Sequence, residues 1–490
     1  MPNQPNLNEV PTAFCLKDTP VENQRSLRVI IIGAGFSGIY TTIRITQKLR
    51  NIDLTVYDMN DAVSGVWWLN RYPGLACDIP FSRQTHIGHP YTLQGQKSVP
   101  ICKMLLHVTV RDLKTDDEFE DTADVVISAR GGLNQIYWPK IAGIEGFKGK
   151  LMHSGAWDES YDARNQKIGV IGNGSSAIQI VPSLQCLEGT QLWCFARSPT
   201  WIAASFGDMA MRKIGRDPKD TQFSKRHQEY MARHPEEFHR IRKTLENEAA
   251  KLFPVTLKGS EESNMVQTAI EGDMRRRLGN KSDITDALLP KFAPGCRRLT
   301  PGPNYLEALQ EDNVHFTNAP IRNITPRGIE MASGEHIDLD LLVCATGYDV
   351  EAPPLFELVG RDGMSLSERW QPYAEAYLGV AVDSFPNFLL VGGPNSGLGS
   401  GSLISVFEAQ GDYAVKMLRK MQKEDYATFE VKSNRVADFS QYIDEEIWVA
   451  YSGFVARILK SLPRGIARPE MGRLSLGVGE FEWKLTEMVG

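Results

Sequence analysis

The 490-residue sequence lacks several patterns that mark common classes of protein. None of its seven cysteines forms a CxxC pair and its nine histidines show no HExxH spacing, which argues against a zinc site and a secreted disulfide framework. No run of 18 uninterrupted apolar residues predicts a transmembrane helix, and the polar N-terminus has no apolar segment typical of a signal peptide. The formal charge of −6 gives no electrostatic reason to expect nucleic acid as a partner. We therefore expect a cytoplasmic protein without metal.

Two strand–turn–helix patterns dominate what is present. Residues 1–26 are predicted to form an extended arm, after which the apolar run LRVIII predicts a strand buried in a parallel sheet. The turn GAGFSG, the helix-periodic IYTTIRITQKLR and the strand IDLTVYD follow, so this stretch predicts a βαβ unit. A second such unit begins at Lys167 with KIGVIGNGSSAIQIVPSLQ and continues with QLWCFARS. A chain of this length is expected to contain two or three domains.

The first glycine turn has the spacing of a dinucleotide site. In Gly33-Ala-Gly35-Phe-Ser-Gly38, the first glycine permits a tight turn, the second lets the backbone approach a pyrophosphate, and the third lets helix and strand pack closely. The pyrophosphate then lies at the helix N-terminus, where unpaired N–H groups favour negative charge. Asp58, at the end of the next strand, can accept hydrogen bonds from a ribose. The alternative is a Rossmann-like turn without a ligand. The predicted contacts are Gly33, Gly35, Phe36, Ser37, Gly38, Ile39 and Asp58.

The second glycine turn points to a phosphorylated dinucleotide. Gly172-Asn-Gly174-Ser-Ser-Ala177 replaces the third glycine by alanine, which the pattern tolerates. Its next strand ends at Arg197 and not at an acid, so a planar guanidinium can bind the 2′-phosphate of NADPH with about 1.5–3 kcal/mol. The alternative is an ordinary surface arginine. The predicted contacts are Gly172, Asn173, Gly174, Ser175, Ser176, Ala177, Ile178, Arg197 and Ser198.

Two dinucleotide sites in one chain imply electron transfer between cofactors. A flavin accepts hydride from a nicotinamide and can then react with oxygen or with a disulfide. The missing cysteine pair favours oxygen. We predict an α/β fold with two Rossmann-like, doubly wound parallel-sheet domains. The predicted divisions are a discontinuous FAD-binding domain at 27–150 and 330–440, an NADPH-binding domain at 151–329 with a helical insertion at about 208–295, and a tail at 441–490.

Three further stretches resemble the Baeyer–Villiger class of flavoprotein monooxygenases. Residues 147–158, FKGKLMHSGAWD, resemble the FxGxxxHxxxW signature of that family. Residues 64–78, SGVWWLNRYPGLACD, are similar to its flavin-contacting stretch, and residues 295–305, GCRRLTPGPNY, to its active-site arginine segment. Matching stretches run from about 27 to 80 and from 123 to 430. The residues of these motifs look most like those of the family's fungal polyketide-pathway members.

The resemblance implies the chemistry and its residues. FAD and NADPH would be the cofactors, and a polyketide-like ketone and O2 the substrates, giving an ester or lactone. It implies that Arg298 is the active-site arginine, that Arg297 is a second contact to the 2′-phosphate, and that Asp78 holds Arg298 and balances its charge. A guanidinium stays charged at working pH, so it can stabilise negative charge on oxygen. The implied flavin contacts are Gly65, Val66, Trp67, Trp68, Ala76, Cys77 and Asp78.

Two other functions stay open on the sequence. A flavin monooxygenase that oxidises nitrogen or sulfur does not need Arg298. The second alternative is a catalytically impaired homologue. Only 44 weakly periodic residues separate Asp78 from Ala123, and this segment is usually about twice as long in the family. Arg130 also stands where the family usually has threonine, and the tail after about Trp448 lacks the family's expected motifs.

Overall fold

The computed structural model describes most of the chain, with gaps. The described residues are 22–77, 105–204, 208–217, 223–257, 259–279, 281–295, 299–350, 352–397 and 402–450. Three of the predicted site residues, Asp78, Arg297 and Arg298, lie outside them.

The strands of the described residues are numbered in chain order. They are β1 (Leu27–Ile32), β2 (Ile52–Tyr57), β3 (Leu106–Arg111), β4 (Glu118–Ala123), β5 (Val125–Ser128), β6 (Lys150–His153), β7 (Lys167–Ile171), β8 (Gln191–Phe195), β9 (Ile202–Ala203), β10 (Thr300–Pro301), β11 (Val314–Thr317), β12 (Ile321–Thr325), β13 (Gly328–Met331), β14 (His336–Asp338), β15 (Leu341–Cys344) and β16 (Phe388–Leu390).

The α-helices are numbered in the same way. They are α1 (Phe36–Lys48), α2 (Val66–Leu69), α3 (Ser175–Gln185), α4 (Asp208–Lys213), α5 (Lys225–Arg233), α6 (Pro235–Ala250), α7 (Glu261–Leu278), α8 (Ser282–Leu288), α9 (Tyr305–Ala308), α10 (Leu366–Arg369), α11 (Leu403–Glu424) and α12 (Ser433–Ala450).

The first parallel sheet has the strand order β16-β5-β1-β2. Successive side chains of β1 point to opposite faces, and both faces are covered. Val29 and Ile31 share a core with residues of α1 and α11. Ile30 lies in a second core with Phe388 of β16. An almost wholly apolar strand is therefore what this position requires.

The second parallel sheet has the order β11-β8-β7-β15-β6. Ile168 and Val170 of β7 share a core with α3 and α9. Ile171, on the opposite face, contacts a core that contains residues of the antiparallel sheet β12-β13-β14. The two parallel sheets confirm the predicted fold class.

One predicted domain boundary needs correction. Residues 330–440 were predicted to belong to the FAD-binding domain, but β15 lies between β7 and β6 of the second sheet. The second unit therefore extends at least to Cys344, and the chain re-enters the first sheet at β16. A fully buried strand shows in sequence that it is buried, but not which sheet it joins.

Among the described residues, the region from 208 to 295 is largely helical, where the sequence predicts a helical insertion. It contains α4 to α8, and the hydroxyls of Ser224 and Ser260 cap α5 and α7 by accepting from the N–H groups of His227 and Ser263. No helix within the described ranges has both the length and the apolar character needed to cross a membrane.

A hairpin precedes β5, in the segment where the sequence showed weak periodicity. β3 and β4 pair antiparallel, and Leu106 and Val108 pack on the first sheet's second core. Arg28 of β1 donates to both carboxylate oxygens of Asp121 at 2.7 Å, and the Tyr57 hydroxyl donates to Asp121 at 2.7 Å. This polar cluster fixes the hairpin against β1 and β2.

Candidate active site

The first glycine turn has the geometry that its spacing predicts. Gly33 has φ +108°, and a Cβ there would lie 2.5 Å from the carbonyl oxygen of Ala129. A Cβ on Gly38 would overlap the carbonyl oxygen of Gly33, so helix and strand approach too closely for any side chain. Gly35 is the N-cap of α1 without a side-chain cap, and a Cβ there would meet only the Cα of Gly65, at 3.7 Å. The helix N-terminus therefore fits a pyrophosphate.

Asp58, the predicted ribose contact, lies beside this turn. Its carboxylate accepts from the backbone N–H of Ala34 at 2.6 Å and from the backbone and side-chain N–H groups of Asn60 at 2.8 and 2.7 Å. These bonds tie the end of β2 to the glycine turn. Asp58 thus shapes the turn as well as offering acceptors to a ligand.

The stretch that is predicted to contact the flavin begins against the first turn. The N–H of Ser64 donates to the carbonyl of Ala34 at 2.9 Å, and Gly65, with φ +56°, faces Gly35. The rings of Phe36 and Trp67 meet edge to face, with centroids 5.8 Å apart. The structure thereby brings α1 and α2 together at one edge of the sheet.

The other predicted contacts of this unit divide by burial. Ser37 is buried and its hydroxyl donates to the carbonyl of Ala129 at 3.2 Å, so it serves the turn itself. Trp68 is exposed, with the guanidinium of Arg71 4.5 Å above its ring. The remaining positions are partly buried or exposed, namely Ile39, Val66, Ala76 and Cys77.

The second glycine turn repeats the plan with one difference. Gly172 has φ +132°, and a Cβ there would overlap the carbonyl oxygen of Ala345. Gly174 is the N-cap of α3 without a side-chain cap, and among the described residues no non-adjacent atom lies within 4 Å of the position of a Cβ. This open cradle fits a second phosphate group. Ala177 and Ile178 are fully buried core residues, so their side chains do not face the cradle.

A buried hydrogen-bond network fixes the second turn to the end of β8. The amide of Asn173 donates to the carbonyl of Ser198 at 3.2 Å and accepts from the hydroxyl of Tyr305 at 2.9 Å. Burial raises the pKa of Tyr305 well above its usual value, so the phenol stays a neutral donor. No role was predicted for Tyr305, although it is the last residue of the stretch 295–305 that resembles the family's active-site arginine segment.

Arg197, the predicted contact to a 2′-phosphate, lies two residues after the end of β8. It is exposed and forms no ion pair with another residue that the structure describes. Ser198 is partly buried beside it, while Ser175 and Ser176 stand at the start of α3. Phosphate would supply the charge partner that the described protein atoms do not.

His153 of the signature segment is a buried, neutral side chain. It is 0% exposed; its Nδ1 accepts from the N–H of Gly155 at 3.0 Å, so the proton lies on Nε2, 3.3 Å from the hydroxyl oxygen of Thr346. Burial lowers the pKa of His153, against the opposing effect of the carbonyls of Tyr137 and Gly347. The histidine therefore fastens β6 to the segment after β15.

Comparison with known proteins gives the family. A model described as an NAD(P)-binding Rossmann-like domain matches residues 31–92. The FAD-binding monooxygenase tazF of Aspergillus terreus is 34% identical over 463 residues, 88% of this chain and 82% of tazF. A Baeyer-Villiger monooxygenase of Streptomyces coelicolor is 30% identical over 432 residues, 81% of this chain and 78% of that protein. The chain belongs to the FAD-binding monooxygenases of the Baeyer–Villiger type. The crystal structure of OTEMO in complex with FAD and NADP has the same fold, with a TM-score of 0.69 at 22% identity over 88% of this chain and 92% of OTEMO.

The family membership confirms the predicted enzyme class and the predicted resemblance. Burial raises the pKa of the thiols of Cys194 and Cys344 to about 12, so both are unreactive strand residues. Within the described part of the chain, no cluster of histidine, cysteine and acidic residues suits a metal ion.

Proposed function

We propose that this monooxygenase uses NADPH, FAD and O2 to insert one oxygen atom next to a ketone carbonyl, giving an ester or lactone, and that its substrate is a polyketide-like ketone. The observation that supports this most is the pairing of two open glycine cradles, at Gly35 and at Gly174, neither of which has a side-chain cap. When bound, the two cofactors supply hydride transfer and oxygen activation.

The protein's own residues bind and orient. The N–H groups at the start of α1 would hold the FAD pyrophosphate, with Asp58 at the ribose. The N–H groups at the start of α3 would hold the NADPH pyrophosphate, and Arg197 the 2′-phosphate. The aromatic pair of Phe36 and Trp67 would cover one side of the flavin site.

We further propose that Asp78 and Arg298 form the catalytic pair, on the evidence of the described residues near them. Ala76 is hydrogen-bonded to Gln179 of α3, and the hydroxyl of Thr300 lies 3.5 Å from that of Ser175. Residues four apart on a helix are neighbours, about 5–6 Å apart on one face. Ala76 and Thr300, the described neighbours of the two segments, therefore contact adjacent positions on one face of α3.

In this pairing the carboxylate of Asp78 holds the guanidinium of Arg298 by charge-assisted hydrogen bonds. The guanidinium stabilises negative charge that develops on oxygen during insertion, because it stays charged at working pH. Removing such a donor costs about 100- to 1,000-fold in rate.

The first experiment measures NADPH consumption and oxygen uptake by the FAD-loaded protein with a panel of cyclic and polyketide-like ketones. We expect ketone-dependent uptake and a product heavier by one oxygen atom in mass spectrometry. Oxidation of amines or sulfides, with no oxygen gain by any ketone, would refute the proposal.

The second experiment tests the catalytic pair. Arg298→Ala should abolish ester formation, while NADPH-driven peroxide release continues. Arg297→Ala is the matched control, since loss of a 2′-phosphate contact should raise the KM for NADPH and leave ester formed per NADPH unchanged. Equal survival of ester formation and peroxide release in Arg298→Ala counts against its assignment.

We place the reaction in the cytosol. The exposed, free thiol of Cys186 supports a reducing compartment.

A further inference from the structure

One stretch of chain connects the two units beside both cradles. We name residues 64–77 the bridge segment. At its start, the Ser64 N–H donates to Ala34 of the first glycine turn at 2.9 Å. Near its end, the side chain of Tyr72 is only 8% exposed and belongs to the core of the second unit. The bridge segment therefore begins at one cradle and ends on the other unit.

A single side chain of the second unit holds the end of the bridge segment. The amide Nε2 of Gln179 donates to the carbonyl of Ala76 at 3.0 Å. Its Oε1 accepts from the N–H of Ala76 at 3.3 Å and from the hydroxyl of Tyr72 at 3.0 Å. Both backbone groups of Ala76 are thus satisfied by one amide, in the way a neighbouring strand would satisfy them.

The backbone around Gly74 fits tightly against the same helix. Gly74 has φ +77°, and a Cβ there would overlap the carbonyl oxygen of Gln179 and the hydroxyl of Ser183. Only glycine permits both this conformation and this approach. The bridge segment therefore packs on α3 in a single register, and Gln179 is the α3 residue that contacts Tyr72, Gly74 and Ala76.

Helix α3 also carries the second cradle. Gln179 lies one turn after Ser175, where the helix begins. The opposite face of α3 is fixed in the core by Ile178, Ile180 and Val181, which are at most 1% exposed. Because interiors are close-packed, a small shift at the start of this helix moves Gln179 with it.

We propose that Gln179 is a positioning residue that couples occupancy of the NADPH cradle to the order of the bridge segment. With the dinucleotide held at the start of α3, Gln179 presents the segment that contacts the flavin in one geometry. This inference rests on the proposed function and adds to it a residue that touches neither the reacting atoms nor the predicted ligand groups.

Graded variants separate positioning from simple stabilisation. Gln179→Leu removes all three hydrogen bonds. Gln179→Glu keeps the acceptor but places a carboxylate oxygen opposite the Ala76 carbonyl, and Tyr72→Phe removes one bond while keeping the packed ring. Gln185→Leu is the matched control, because this glutamine lies on the same helix and its amide contacts Asn313 at 3.3 Å, away from the bridge segment.

The first readout is hydrogen exchange of the FAD-loaded protein with and without NADP+. In the wild type and in Gln185→Leu, NADP+ should slow exchange in residues 70–77. In Gln179→Leu and Gln179→Glu that NADP+-dependent protection should be lost. Equal protection in Gln179→Leu and the wild type overturns the proposal.

The second readout is flavin reduction by NADPH without oxygen. Gln179→Leu loses three partly exposed hydrogen bonds, so it should slow flavin reduction roughly tenfold. Tyr72→Phe loses one of them and should slow reduction about threefold. In both variants the FAD content and the dissociation constant of NADPH should stay within about twofold of wild type. A uniform loss of FAD and thermal stability, with the reduction rate of the remaining holoenzyme unchanged, would show a merely structural role. Neither readout needs a ketone, so failure of the proposed substrate class stays distinguishable from failure of this inference.

Discussion

Replacing Gly174 by alanine should separate cofactor binding from folding. Gly174 has φ −96° and ψ −173°, an extended conformation that alanine adopts without strain. No non-adjacent atom of the described residues lies within 4 Å of the Cβ position, so the described structure accommodates the methyl group. The methyl group would, however, occupy the space through which a pyrophosphate approaches the start of α3. The substitution should therefore weaken dinucleotide binding and leave the free energy of unfolding nearly unchanged.

The expected magnitudes follow from these contacts. Stability should change by no more than about 0.5 kcal/mol, the usual range for a substitution without clash or cavity. The phosphate would lose at least one charge-assisted hydrogen bond, worth about 1.5–3 kcal/mol, which corresponds to roughly 10- to 150-fold weaker NADPH binding. FAD content should stay that of the wild type, since the first cradle is untouched.

The assay is the KM for NADPH, measured with FAD content and the thermal midpoint of the same preparation. Gly272→Ala is the matched control, because Gly272 lies within α7 and no described atom outside its own helix backbone lies within 4 Å of its Cβ position. It should stabilise the helix by about 1 kcal/mol and leave the KM unchanged. A KM for Gly174→Ala equal to that of Gly272→Ala, or a loss of FAD, would refute the assignment of the second cradle.

Three further predictions concern other residues of the site. Burial lowers the pKa of His153 below 6.5, so the unfolded chain binds a proton at this side chain more readily than the folded protein does. The contribution of neutral His153 to folding stability is therefore complete above about pH 6.5 and is lost as the pH falls below that value. Thermal midpoints across pH should therefore fall less steeply below 6.5 in His153→Asn, and an unchanged slope contradicts the reasoning. Arg197→Ser should raise the KM for NADPH roughly 10- to 150-fold and leave that for NADH unchanged, whereas a parallel rise in both argues against a 2′-phosphate contact. Gly38→Ala, whose methyl group would overlap the Gly33 carbonyl, should lose FAD and about 1–3 kcal/mol of stability in chemical unfolding, and retention of both would contradict the close packing at this turn.

The two cradles were predictable because their determinants are local. The positive φ angles of Gly33 and Gly172 and the turn from strand to helix depend on a few consecutive residues. The strand β3 of the hairpin could also have been predicted from the sequence, because Leu106, Val108 and Val110 alternate with exposed residues along it. The assignments of Asp78, Arg297 and Arg298 stay predictions, since they rest on resemblance and lie outside the described residues.

The fold class, the two glycine turns and the family resemblance were thus predictable from the sequence, because each follows from residue types at short, fixed spacing. Packing in three dimensions, by contrast, places β15 in the second sheet, Tyr305 against Asn173, and Gln179 against the bridge segment. These contacts join residues about 100 or more positions apart, and their partners are selected by packing between elements that no local pattern encodes.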